Sequence, residues 1–310
     1  MDAPAPAPAN RTLLLLSLLA VYLVWGSTYF GMRVALGGFP PLLMAALRFL
    51  LAGTLMLGAL KVRGHALPTP RQWRNCALVG TLLLAMGNGG VAVAEQWVAS
   101  GLAAVMIASV PLWSAVFAGL LGSWPSWRER VGLGIGAAGV VLLNLGGDLR
   151  GQPLGAVVLL GAAASWALGS VWSKRLDLPS GLMASAAQML CGGAVLLTVA
   201  LVRGDRPSAH VPTSALAAVL YLALFGSVLA YSAYGYLLRH ASPALATSYA
   251  FVNPAIAVLL GVALGGEHPG PIAIAAMGVI MLGVALVVVR RRPAPSVGER
   301  EPVQVIDQRR

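Results

Sequence analysis

Two ionisable side chains stand where a charge is expensive: Arg48 lies inside a long apolar stretch, and Glu95 closes another. A guanidinium at membrane depth costs several kcal/mol unless it meets a partner or water. Arg48 is therefore expected either to grip backbone carbonyls and lock helices together, or to receive the carboxylate of a solute. Partial burial of Glu95 would raise its pKa toward the range useful for moving protons; otherwise it is a carboxylate lining a mouth.

Polar breaks in the apolar stretches are the next places where chemistry can occur. Gly87-Asn88-Gly89-Gly90 joins an amide to a permissive backbone, which suits a hinge or a backbone opened to a cavity, and equally suits close helix packing. Pro111 and Pro254 each remove a helical hydrogen bond and favour a kink that frees a carbonyl. Ser109, Thr247, Ser248 and Asn253 surround them with hydrogen-bonding groups, and Trp25, Tyr29, Trp113, Trp166, Tyr231, Tyr234 and Tyr249 add aromatic surface. Such a lining suits an uncharged or amphipathic solute, although each ring taken singly also fits packing or interfacial anchoring.

The parts of an enzyme are missing from the pattern. There is no HExxH, GxSxG or Walker loop, and His65, His210, His240 and His268 all fall outside the expected helices. Cys76 and Cys191 suggest core filling rather than a disulfide framework or a metal site, so neither metal nor cofactor is expected. A channel or passive scaffold is the alternative to a carrier.

The elements that must position these residues follow from composition. Hydrophobic residues make up 58% of the 310 and charged residues 10%, against roughly 25% charged in a soluble domain. Ten apolar runs are long enough for a bilayer, near 12–32, 40–60, 75–94, 101–121, 131–146, 153–173, 181–202, 214–238, 243–264 and 271–289. They lack the alternation of a barrel, so an all-helical bundle is expected. The first run continues through Tyr22, Trp25 and Phe30 with no small-residue cleavage box, which argues for a retained span and against a signal peptide.

The net charge of +11 would suggest nucleic acid on a soluble protein; here the placement of the charges matters more. With the N-terminus inside, 16 of the 21 Lys and Arg fall on the cytoplasmic side and 4 (Arg33, Arg150, Arg203, Arg206) on the other, with Arg48 within a run. Both termini are thus expected in the cytoplasm. Residues 1–11 and 292–310 read as solvated, disordered tails.

Internal repetition organises the chain. Trp25–Arg33 (WGSTYFGMR) aligns with Trp166–Lys174 (WALGSVWSK) at an offset of 141, and Leu102–Pro111 (LAAVMIASVP) with Leu245–Pro254 (LATSYAFVNP) at 143. Five runs per repeat is an odd number, so the second half must enter the membrane from the opposite side. Inverted repeats let each half adopt the other's conformation and expose a central site to either side in turn.

Trp25-Gly-Ser-Thr-Tyr29, Leu47-Arg48-Phe49, Gly87-Asn88-Gly89, Ala94-Glu95, Ser100-Gly-Leu-Ala-Ala104 and the stretch Ser242–Pro254 together make the chain resemble EamA-type members of the drug/metabolite transporter superfamily, YedA-like permeases especially, over residues 12–290. The resemblance implies ten inner-membrane helices as two inverted five-helix repeats, 12–146 and 153–291, with cytoplasmic termini. It also implies a cavity between the halves lined by helices one, three, four, six, eight and nine, and export as the direction. Since helix two is outside that lining, the locking role is preferred for Arg48.

The substrate-binding set expected on this basis is Trp25, Tyr29, Asn88, Glu95, Ser109, Trp113, Trp166, Tyr234, Tyr249 and Asn253, with Gly87, Gly89, Pro111 and Pro254 as hinges. The expected partners are a small-molecule substrate and the lipid bilayer, with no nucleic acid. Gly132 and Gly136 form a GxxxG spacing that serves either the bundle or a homodimer. A phosphate-rich solute would want several cavity Lys or Arg, and a multidrug cation site an acid in helix one, where Tyr22, Trp25, Ser27 and Thr28 stand instead. Amino acids or similar small metabolites are the expected cargo, with lipophilic-compound efflux as the alternative.

Overall fold

Hydrocarbon offers the backbone no partner but itself, and every regular element among the described residues is helical. The computed structural model describes residues 11–122, 127–145, 153–241 and 249–288. Residues 1–10 and 289–310, and Thr247 and Ser248, lie outside the described residues, and Arg11, expected in the first tail, begins the first helix. In chain order the helices are α1 (Arg11–Ala35), α2 (Pro41–Val62), α3 (Pro70–Ala94), α4 (Ser100–Leu120), α5 (Trp127–Leu145), α6 (Pro153–Ser173), α7 (Leu182–Val202), α8 (Thr213–Leu237), α9 (Tyr249–Gly265) and α10 (Pro271–Val288). Among the described residues seven of these, all but α5, α9 and α10, are long and apolar enough to cross a membrane, with shorter apolar helices at Val252–Gly265 and Pro271–Gly283.

Local chemistry sets the ends. Proline stands at the first turn of α2 and α3, where a missing N–H costs nothing, and Thr69 with Gln72 closes a capping box on α3. Gly64 and Gly204, after α2 and α7, take left-handed φ values of 83° and 74° that other residues avoid. The helix of α8 runs on to His240, correcting the loop position expected for that histidine. Its ring stacks on Tyr236 at 4.1 Å, one turn back, and its Nδ1 lies 3.0 Å from the Tyr236 carbonyl.

Three spans contain π-helical stretches: Val21–Trp25 in α1, Thr81–Asn88 in α3 and Leu222–Leu229 in α8. The expected interruption of α3 at Gly87–Gly90 is therefore a change of helical register rather than a break, and the chain passes directly into Gly89–Ala94. The two prolines also differ. Pro111 follows a turn at Ala108–Ser109 that divides α4, whereas Pro254 sits within a continuous α9.

The helices pair across the two halves in a matched way. α1 packs on α8 and α9 while its counterpart α6 packs on α3 and α4; α2 packs on its counterpart α7, and α5 on α10. Glycines set the approach: a Cβ at Gly53 would stand 2.9 Å from the Leu190 side chain, and one at Gly80 2.5 Å from the Gln188 carbonyl oxygen. Gly136, with the Gly132 carbonyl, faces Gly283 of the same chain, so the GxxxG face is occupied within the bundle. Outward, Leu15, Leu16, Leu19, Leu216 and Leu259 are at least half exposed, as a surface solvated by lipid requires.

A Cβ at Gly283 would meet the Gly136 nitrogen at 2.4 Å, whereas one at Gly278 on the same helix meets nothing within 4 Å. Gly283→Ala is expected to destabilise the α5–α10 pair by about 1–3 kcal/mol, and Gly278→Ala to be neutral or mildly stabilising. Thermal unfolding of the two variants in detergent checks this difference.

Candidate functional site

Aromatic residues from α8 and α9 converge on Trp25, at the end of the π stretch of α1. Its ring lies 4.9 Å from Tyr249, 5.2 Å from Tyr234 and 5.3 Å from Tyr231, and Tyr234 meets Tyr249 edge-on at 5.6 Å. Such edge and tilted contacts suit the ring quadrupoles. The indole Nε1 donates to the Gly226 carbonyl at 3.1 Å, fixing the ring against α8. Buried Asn253 is one turn beyond Tyr249; with its amide nitrogen turned inward it donates to the Tyr249 and Tyr22 carbonyls at 3.2 and 3.3 Å. Gly26, next to Trp25, allows α9 to approach so closely that a Cβ there would lie 2.7 Å from Ile256.

The remaining candidates are distributed along the seam between the halves. Trp166, the repeat counterpart of Trp25, lies against Gly87, whose absent Cβ would stand 2.9 Å from its ring; Asn88 is half-buried at the end of the same π stretch. Gly89 faces Leu196 on α7. Ser109 is buried and donates to the Met106 carbonyl at 2.6 Å, and Trp113 stacks on Phe117 at 6.2 Å. Tyr29, one turn past Trp25, packs into the core shared by α1, α3, α4 and α8 and is within electrostatic reach of both Glu95 and Arg48.

Arg48 is almost fully buried, and its partners are on α8. Nε donates to Ser227 Oγ at 3.0 Å, Nη2 to the Gly226 carbonyl at 3.4 Å, and the guanidinium sits 4.8 Å from the centre of the Phe49 ring. Gly226 thus accepts from both Trp25 and Arg48, which couples the aromatic group to the α2–α8 contact. This geometry is that of a helix lock.

About 12 Å further along α1, the rise of eight residues, Arg33 reaches a second polar group that the sequence reading missed. Its Nη1 pairs with Glu267, in the turn between α9 and α10. Glu267 Oε1 also accepts from the Ser100 amide at 2.9 Å and the Ser100 hydroxyl at 2.6 Å, and Oε2 from the Gly101 amide at 3.1 Å. These are the first amides of α4, where unpaired N–H groups and the helix dipole favour an anion. Burial pushes the Glu267 carboxyl up, but the Ser100 and Gly101 donors and Arg33 together outweigh it and hold the carboxylate below its usual range. The only hint in the sequence was an acidic residue in a Gly-Gly-Glu-His-Pro turn; its partners lie some 165 or more positions away.

Glu95 stands one residue past α3, buried to 7% exposure, and neither carboxyl oxygen has a hydrogen-bond partner among the described residues. Burial, reinforced by Glu267, raises its pKa well above the ordinary value, while Arg33 and Arg48 pull the other way. Glu95, Arg33, Glu267, Trp97, Val258 and His268 line a cavity of about 480 Å³, in the size range of small-molecule sites. The structure therefore separates the expected set. Trp25, Tyr234, Tyr249 and Asn253 form one group, Glu95 belongs to the end cavity, and Trp166 with Asn88 marks the opposite seam.

Comparison with known proteins agrees with this architecture. The model of the EamA-like transporter family matches residues 12–145 and again 153–289. The inner membrane transporter YedA of Escherichia coli K12, itself uncharacterized, is 52% identical over 272 residues, covering 87% of this chain and 89% of its own. A protein of Streptantibioticus cattleyicolor named "Probable terminal-alkyne amino-acid exporter" is 27% identical over 92% of this chain and 97% of its own. A crystal structure 23% identical in sequence superposes with a TM-score of 0.63 over 90% of this chain and 98% of that one, a likeness of fold.

Because the folded pKa of Glu267 is depressed, its stabilising contribution is present above the unfolded value of about 4.3 and is lost as pH falls through the folded value. Glu267→Gln is expected to cost about 2 kcal/mol at pH 7, with the difference from wild type shrinking below pH 4. Unfolding midpoints measured from pH 3 to 8 test both statements.

Proposed function

Since the chain belongs to the EamA-like transporter family, we propose that it carries amino acids or similar small metabolites across the inner membrane, outward, by alternating access between two inverted five-helix repeats. The reading rests above all on the matched pairing of the halves, α1 with α8 and α9 against α6 with α3 and α4, which sets the aromatic group around Trp25 on the seam between them. A seam built from two equivalent halves can exchange which side it opens.

Charge placement supports cytoplasmic termini, and with them the side of each linkage. The Arg33–Glu267–Ser100 group then lies at the outer end. Gln72 and Asn75, which bond the Asp177 carboxylate and carbonyl at 3.2 and 2.8 Å, then lie at the inner end with Arg175, which donates to the Leu121 carbonyl at 3.1 Å. Each linkage joins one half to the other. The solute meets rings and amides between them, where an amphipathic molecule of amino-acid size exchanges water for aromatic contact and a few hydrogen bonds.

Purified protein in proteoliposomes, given a panel of labelled amino acids and a lipophilic cation with and without a pH gradient, is expected to show saturable flux of at least one amino acid. Trp25→Ala is expected to lower that flux by about tenfold at low solute concentration, equivalent to about 1.4 kcal/mol. Flux that never saturates would identify a channel, and flux of the lipophilic cation alone would transfer the function to drug efflux.

A further inference from the structure

One arginine and two carboxylates from opposite halves share the end cavity, and the two acids are treated in opposite ways. Glu267, from the second half, accepts from Arg33, Ser100 and Gly101. Glu95, from the first half, lines the same cavity with both oxygens sealed and unpartnered among the described residues. A carboxylate without water or a donor is far costlier than the protonated acid, so with the end shut Glu95 holds its proton.

Arg33 is the exposed partner. Its side chain is 40% exposed while that of Glu267 is 5% exposed, so the arginine reaches the carboxylate from the open cavity. The Glu267 turn, in contrast, is tied down: its amide donates to the Gly261 carbonyl at 2.9 Å, and the carboxylate fills the space a Cβ at Gly261 would need, 2.3 Å away. The groups whose charges act on Glu95 are Glu267, Arg33 and Arg48, with Tyr29 nearby, and His268 is the other titratable side chain on the cavity wall.

Resting on the transport reading, we propose that Glu95, Arg33 and Glu267 form a proton-operated latch between the halves: protonated Glu95 leaves Arg33 on Glu267 and this end shut, and loss of that proton opens it. The proton passes from the Glu95 carboxyl to water in the cavity and returns by the same route, with no other bond made or broken. Once ionised, Glu95 repels Glu267 across the interface and competes for the Arg33 guanidinium, which weakens the join at α4 and admits cavity water to its oxygens.

The test is a distance across this end. Gln96→Cys in the first half and His268→Cys in the second carry nitroxide labels, with Cys76→Ala and Cys191→Ala removing the native thiols; the second labelling site also removes the cavity histidine. In nanodiscs, without substrate, the latch gives one short distance at pH 5 that yields to a growing longer population as the pH rises. The shut-to-open ratio changes by at most about tenfold per pH unit, the limit for one proton. Adding Glu95→Gln is expected to hold the short distance at every pH, and adding Glu267→Gln to enlarge the open population throughout.

A distance that ignores pH, or a pH response that survives Glu95→Gln, overturns the latch. Infrared spectroscopy of the wild-type protein supplies a check that needs no variant: the carbonyl stretch of a protonated carboxylic acid must disappear with the same midpoint as the distance change, and its absence in the shut state overturns the proposal. No solute enters either experiment, so a failed latch leaves a positive flux result standing, and absent flux leaves a pH-dependent distance standing.

Discussion

Lipid gives apolar helices almost no reason to prefer one another, so this bundle depends on how closely its backbones approach. Gly53, Gly80, Gly87, Gly136, Gly192 and Gly283 all lie where a Cβ would come within 3 Å of a neighbouring helix. At that range dispersion contacts accumulate along whole helix faces, and backbone groups of one helix come within reach of the other. The same requirement explains the composition: 37 glycines would weaken soluble helices, but in a bundle held by close approach they are the contact surface.

Polar chemistry is confined to where this packing stops or shifts register. The π stretches of α1 and α8 bring Trp25 to the Gly226 carbonyl, and Arg48 reaches the same oxygen from α2. A buried charge is tolerated there because the Gly226 carbonyl and the Ser227 hydroxyl give the guanidinium acceptors that hydrocarbon would not. At the chain turns the first amides of α4 supply the donors, and a carboxylate from the other half completes them. The seam is thus aromatic in the middle, with the hydrogen bonds at Gly226 and Ser227, and joined by polar linkages at its ends.

How much of this was readable beforehand depends on range. The helices were legible because each apolar run carries its own signal, and the repeat was legible because Trp25 and Trp166 stand in similar local words. The grouping of Trp25 with Tyr234 and Tyr249 was only half legible: the residue types were suggestive, but their meeting depends on the crossing of α1, α8 and α9. The glycines at 87 and 89 were read as a hinge or as packing, and they lie against Trp166 and Leu196, neighbours that no local pattern could name. Glu267 was invisible as a site residue, because its partners Arg33, Ser100 and Gly101 are brought to it only by the pairing of the halves.

Glu95 and Glu267 show why residue type alone could not settle the roles of the acids. Both are glutamates beside the end of a span, both are 7% exposed, and both line one cavity. One receives a helix N-terminus, a hydroxyl and an arginine, which hold its carboxyl below the usual range; the other receives no hydrogen bond, and burial pushes its carboxyl up. The difference is created by the α4 turn, which presents Ser100 and Gly101 to the far half and only the end of α3 to Glu95. Any motion that separates α4 from the α9–α10 turn must therefore undo the environment that ionises Glu267 while admitting water to Glu95. The protonation of the two acids and the position of the halves are linked by geometry, in whichever direction the solute moves.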